Sequence, residues 1–258
     1  MRTLSSLENQ KQQEAFKRVF ITGVSRGLGL ALACLYLDKG WTVYGTARHK
    51  PTQLAGHDRF IFKSCDLQDP EQVAALFEQE FSPVITLGVS VIHLNAGVSS
   101  NAPLHTDEYD LSQLQKAMMI NVLANKLILD ALFQSGFKPT LVVASASIAG
   151  IRYRAGMLSY SLSKAALNAL CGVYAKENPD VFFAVLGMCN ILTDLSLGII
   201  SKDSLCKFPE HLKLRERFNM PGYAVSPEKR ATEIYQRVIE HECIGITSGE
   251  FIELRNIL

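Results

Sequence analysis

Short β-branched and aromatic runs alternate along this chain with stretches of helical periodicity, and no other feature constrains the fold as tightly. RVFIT at 18–22, TVYGTA at 42–47, RFIFK at 59–63, VSVIHL at 89–94, TLVVAS at 140–145 and VFFAVL at 181–186 read as strands, with EFIEL at 250–254 as a seventh. LGLALACLYLDK, PEQVAALFEQEF, QLQKAMMINVLANKLILDALF, KAALNALCGVYAKE and SPEKRATEIYQRVIEH read as the helices between and after them. Strands that are apolar almost throughout must be covered on both faces, which a parallel sheet between two helical layers provides. The expected class is therefore α/β, a doubly wound parallel sheet with helices on both faces.

Composition narrows the function classes. Hydrophobic residues make up 48% and charged residues 20% of 258, so a large core can form, and one domain of this size is ordinary for an open α/β sheet. A net charge of +1 gives no electrostatic footprint for nucleic acid or an anionic membrane. The expectation is a cytoplasmic chain with no nucleic-acid or membrane partner. Residues 1–17, lacking an apolar signal core, form an N-terminal extension, and 18–258 form a single catalytic domain. Six scattered cysteines without a C-x-x-C pair read as reduced thiols. Six histidines without ligand spacing read as surface or strand-end residues, so no metal is expected.

Three motifs carry chemistry. The first strand runs through Thr22-Gly23-Val24-Ser25-Arg26-Gly27-Leu28-Gly29 into an apolar helix, a context in which glycines let backbone amides and a helix N-terminus approach a pyrophosphate. Asn95, Ala96 and Gly97 follow the fourth strand, at the carboxyl edge where open parallel sheets bind ligands. Ser147 precedes Tyr160 by thirteen positions, and Lys164, four residues after Tyr160, shares its helix face.

As a set, these motifs resemble the short-chain dehydrogenase/reductase family from Arg18 to about Leu254, with the Asp66-Leu67 pair after the third strand and Asn121 in a long helix as further matches. The resemblance implies a Rossmann-type sheet of seven strands in the order 3-2-1-4-5-6-7 and a homodimer or homotetramer. It also implies a catalytic set of Asn121, Ser147, Tyr160 and Lys164, with Ser145 the competing serine. Gly23, Ser25, Arg26, Gly27, Leu28, Gly29, Arg48, Asp66, Leu67, Asn95, Ala96, Gly97, Tyr160, Lys164, Ile191 and Thr193 would hold a nicotinamide dinucleotide, with Asp66 at the adenine and Ile191 and Thr193 at the carboxamide. Where the family commonly has Pro-Gly, this chain has Met188-Cys189. Either the loop takes another course, or Ile191 and Thr193 do not contact the cofactor as the family would imply.

The activity implied is hydride transfer between NADPH and a small carbonyl or alcohol, with Tyr160 as general acid/base. Lys164 would lower the tyrosine pKa and bond the ribose, Ser147 would hold the substrate oxygen, and Asn121 would position a water behind Lys164. NADPH is favoured over NADH because the second strand ends in Thr46-Ala47-Arg48 without a carboxylate for a free 2'-hydroxyl, while Arg26 and Arg48 could reach a 2'-phosphate. The rival is a catalytically silent dinucleotide-binding sensor or scaffold of the same fold. Residues 194–226 lack a clear period and read as a substrate loop that closes over the site. Arg152 and Arg154 lie in the segment between Ser147 and Tyr160, beside the expected substrate mouth.

Overall fold

The computed structural model describes residues 17–99, 103–136, 138–200 and 207–258, so residues 1–16 of the expected N-terminal extension and residues 201–206 of the expected loop lie outside the described residues. Its sheet has seven parallel strands: β1 (Arg18–Thr22), β2 (Thr42–Ala47), β3 (Phe60–Ser64), β4 (Val91–Leu94), β5 (Leu141–Ala146), β6 (Phe182–Gly187) and β7 (Phe251–Glu253). They lie in the order β3-β2-β1-β4-β5-β6-β7. Between β1 and β4 the winding reverses, which opens a crevice beyond the carboxyl ends of those two strands.

Strand periodicity divides the core into two halves. Val19, Ile21, Val43, Val143 and Leu186 face one side, where α1 (Gly27–Asp38) and α9 (Pro227–Tyr235) contribute Leu28, Leu32, Ala231 and Ile234. Their neighbours Phe20, Tyr44, Val142, Phe183 and Val185 face the other side. There α5 (Ala124–Gln134) and α6 (Leu158–Glu177) bring Ile128, Leu129, Leu132, Leu167 and Cys171. Each fully buried Val, Leu, Ile or Phe side chain contributes about 1.5–3 kcal/mol.

Three local readings are corrected. The pattern PEQVAALFEQEF forms only a short α2 (Pro70–Ala74), followed by a one-turn helix at Gln79–Phe81 and a short α3 (Ser82–Thr86). The chain breaks at Gln79, which takes φ +53°, so that Leu76, Phe77 and Phe81 all reach the core. Within the irregular segment at 194–226 lie two helices, α7 (Asp194–Ile200) and α8 (Pro209–Phe218). They are anchored by a satellite cluster of Met157, Ile199, Ile200 and Leu214 that is separate from the sheet core, so the segment shows no single amphipathic period. Histidines are not all peripheral. His211 is fully buried in α8, and His93 in β4 is buried, bonded to Tyr36 Oη at 2.9 Å and pushed by burial down to about 3.

α4 (Leu111–Met118) and α5 form one run joined by a π-helical turn at Met119–Leu123. Leu111–Gln134 is long and apolar enough to cross a membrane by length and composition, yet half of its most apolar window is buried inside the fold. Asp110 caps this run in a capping box with Gln113. The five cysteines among the described residues are free.

Candidate active site

Hydrogen bonds between β1 and β4 build the crevice. Thr22 Oγ1 accepts from the amides of Asn95 and Ala96, both at 3.0 Å, and Asn95 Nδ2 donates to Thr22 O at 3.0 Å. Gly23, at φ +79°, lets the Ala96 backbone approach to where its own Cβ would stand. At Gly29 a Cβ would lie 2.1 Å from Gly23 O, so the turn closes onto the start of α1 only without a side chain there.

Beyond this turn lies a cavity of about 940 Å3 lined by all sixteen residues expected to hold a dinucleotide, from Gly23 through Arg48, Asp66 and Asn95 to Lys164 and Thr193. Its glycine cradle at the N-terminus of a twelve-residue helix suits a pyrophosphate. These features fit a nicotinamide dinucleotide.

Tyr160 and Lys164 line the same cavity from the first turns of α6. The Lys164 ammonium lies 5.5 Å from the centre of the Tyr160 ring and donates to Ser145 O at 2.7 Å. Burial pushes the lysine down to about 8. Desolvation raises the pKa of Tyr160, and the Ser147 side chain draws it back.

Ser147 caps a one-turn helix, Ile148–Gly150, with Oγ accepting from Ala149 N at 3.2 Å. A Cβ at Gly150 would stand 2.8 Å from the Lys164 carbonyl carbon, so this glycine allows the Ser147 turn to lie on α6. Of the two candidate serines, Ser147 is the one whose side chain draws the Tyr160 pKa down, whereas Ser145 offers its carbonyl to Lys164 and its hydroxyl to Asn95 at 3.4 Å.

Asn121 occupies the π-helical turn. Its Oδ1 accepts from Val98 N at 2.8 Å, and its Nδ2 donates to Val98 O and to Ser163 Oγ, both at 2.9 Å. Its carbonyl accepts from Asn125 Nδ2 at 2.9 Å. Asn121 thereby ties the loop after β4 to α6, and Ser163 continues the link by donating to Tyr160 O at 2.9 Å. Sequence reading missed Ser163, Asn125 and Gly150; the first stood inside Tyr160-Ser161-Leu162-Ser163-Lys164 and could have been examined there.

The Met188-Cys189 segment returns to the cavity. Cys189 takes φ +57°, the left-handed region that glycine adopts at low cost, and Met188, Cys189, Ile191 and Thr193 all line the cleft. Thr193 Cγ2 lies 3.2 Å from where a Gly27 Cβ would stand, and Ile191 bridges to Val225. Arg48 is exposed at the cleft edge. Arg26 is committed elsewhere, in an ion pair with Asp194 at 2.8 Å.

Residues 17–194 match the family model described as short chain dehydrogenase. This chain belongs to the short-chain dehydrogenase family. A benzil reductase ((S)-benzoin forming) of Bacillus cereus is 27% identical over 252 residues, covering 92% of this chain and 98% of that protein. A solved short-chain dehydrogenase/reductase of Saccharomyces cerevisiae superposes with a TM-score of 0.76 at 25% identity, covering 92% of this chain and 96% of that one. The fold is shared with a 3-ketoacyl-(acyl-carrier-protein) reductase from Brucella melitensis complexed with NADH, at TM-score 0.74 and 19% identity over 92% and 96% of the two chains. As a short-chain dehydrogenase the protein is an oxidoreductase of small molecules, and the family binds nicotinamide dinucleotides.

Proposed function

We propose that this short-chain dehydrogenase reduces a small carbonyl compound with NADPH, or runs the reverse oxidation, with Tyr160 as the proton donor and acceptor. One observation carries the reading: Tyr160, with the Lys164 ammonium beside its ring, lines the same cleft as the glycine turn. When bound, the nicotinamide supplies or accepts the hydride.

The chain's own residues do the rest. Tyr160, kept protonated by burial, gives its proton to the oxygen on which negative charge builds. Ser147 holds that oxygen and orients the tyrosine hydroxyl. Lys164 holds the nicotinamide ribose and supplies positive charge, while Asn121 fixes the strand-end loop and offers its carbonyl to a water behind Lys164. Arg48, with Arg26 once released from Asp194, would read a 2'-phosphate, Asp66 would hold the adenine, and Ile191 and Thr193 the carboxamide. Benzil reductases among the relatives support reduction of a carbonyl, and the apolar cluster around Tyr160 suits a bulky substituent. The proposal includes a single catalytic domain over 18–258, a cytoplasmic location, and assembly as a homodimer or homotetramer.

Tyr160→Phe tests it. Cofactor titration should be unchanged, while turnover of aldehydes and ketones followed by nicotinamide absorbance should fall about 10²- to 10⁴-fold. Cofactor binding by the wild type without turnover above the variant would replace the oxidoreductase reading with a cofactor-sensing one.

A further inference from the structure

Two asparagines, Asn121 and Asn125, are fully buried in the run that joins α4 to α5, among the buried apolar side chains of Ile120, Val122, Ile128 and Leu129. Burying a side-chain amide is costly unless its groups are bonded, and asparagine is a poor former of helix interiors. At the π-helical turn between them and α4 the backbone ladder widens, with Ala124 N donating to Met119 O five residues back. Asn125 acts at this break: its Nδ2 donates to Asn121 O at 2.9 Å. A carbonyl oxygen can only accept, so this bond fixes which end of the Asn125 amide faces it, and Oδ1 is the end turned away. Oδ1 is buried and has no hydrogen-bond partner among the described residues.

From Asn121 an unbroken series of hydrogen bonds leads to the proton donor. The Asn121 side chain accepts from Val98 N at 2.8 Å and donates to Val98 O and to Ser163 Oγ, both at 2.9 Å. Ser163, itself fully buried, donates to Tyr160 O at 2.9 Å, so the grip on Ser163 is a grip on the first turn of α6. Gly97 keeps the space beside this link open, since a Cβ there would stand 3.5 Å from Asn121 Oδ1 and 3.6 Å from Lys164 Nζ. Asn125 is not among the residues that line the cleft, yet it holds the carbonyl of the residue that makes these contacts.

We propose that Asn125 is a positioning residue for Tyr160: its amide nitrogen locks the π-helical turn so that the Asn121 side chain holds Val98 and Ser163, and its Oδ1 takes a buried water. This rests on the oxidoreductase reading above. Water supplies the missing donor, because an orphaned buried acceptor is costly and internal waters are retained where they satisfy such groups. Tyr160 must meet the reacting oxygen within hydrogen-bond reach, and a small displacement of its helix turn lowers the rate of proton transfer without removing any group that touches cofactor or substrate.

The test uses the full chain as wild type, Asn125→Leu, Ser163→Ala and the double variant, with the aldehyde or ketone that the wild type reduces fastest. In Asn125→Leu, which keeps the size of the side chain and removes its bonds, kcat should fall about ten- to a hundredfold while KM and cofactor affinity stay within about threefold. The double variant should be no slower than Asn125→Leu by more than about twofold, because both changes break one series of contacts. A crystal structure of the wild type, which needs no variant to fold, should show a water within hydrogen-bond distance of Asn125 Oδ1. An Oδ1 without a donor, an unchanged kcat in Asn125→Leu, or losses that multiply in the double variant overturns the proposal and leaves the reductase reading standing. If the wild type reduces no aldehyde or ketone, the reductase reading fails, and the crystal structure of Asn125→Leu decides the positioning: a displaced Asn121 side chain and first turn of α6 support it, and an unmoved pair overturns it.

Discussion

The Arg26 guanidinium and the Asp194 carboxylate lie 2.8 Å apart, joining the glycine turn to the first turn of α7. Both side chains are largely exposed, so the pair adds little stability. Its consequence is competition, because a 2'-phosphate that is to be read by Arg26 must draw the guanidinium away from Asp194. Asp194→Asn is therefore expected to tighten NADPH binding about two- to fivefold, the scale of an exposed ion pair, with a smaller effect on NADH. Fluorescence titration of both cofactors checks this, and weaker NADPH binding in the variant would mean that Asp194 orders the arginine for the phosphate.

Arg48 stands at the cleft edge with no carboxylate at the end of β2. Arg48→Asp should weaken NADPH about ten- to a hundredfold, the worth of a charge-assisted hydrogen bond, and leave NADH within a few-fold. Equal loss for both cofactors would place Arg48 outside the 2'-phosphate site.

Lys164 sets a pH limit. Its pKa is pushed from 10.5 down to about 8 in the folded, cofactor-free protein, so it is a cation below that pH and a neutral amine above it. Charge-dependent binding of the ribose end of the cofactor should accordingly decline as pH rises through about 8. In a kcat/KM profile for NADPH the wild type should show this inflection. Lys164→Arg, which stays charged throughout the range, should lose it from whatever activity remains.

Cys189 occupies a left-handed position at φ +57°. Replacement by glycine removes that strain and a half-buried side chain together, so Cys189→Gly should stay within about 1 kcal/mol of wild type in denaturant unfolding. Cys189→Val adds branching where φ is positive and should cost about 1–3 kcal/mol, with weaker cofactor binding because Ile191 and Thr193 follow on the same loop. Equal stability of the two variants would show that the backbone there is set without regard to the side chain.

The strands, the helical layers and the glycine turn were legible in the sequence because each rests on local rules, whereas the strand order was implied by the family resemblance. Consecutive apolar residues such as Val19, Phe20 and Ile21 declare strands buried on both faces, and Gly23, Gly27 and Gly29 declare a tight turn into α1. Tyr160 and Lys164 could be paired from their spacing on one helix. Tertiary structure decided what depends on neighbours distant along the chain. Helices at 194–200 and 209–218 anchor a satellite cluster rather than the main core, so their periods were faint. Arg26 pairs with Asp194, Asn121 spends its amide on Val98 and Ser163, and burial raises the tyrosine pKa while Lys164 donates to the Ser145 carbonyl. Sequence determined which chemical groups meet along one helix or one turn; which group each side chain faces across the cleft follows from packing, since desolvation and hydrogen bonding depend on the distances that the assembled fold sets.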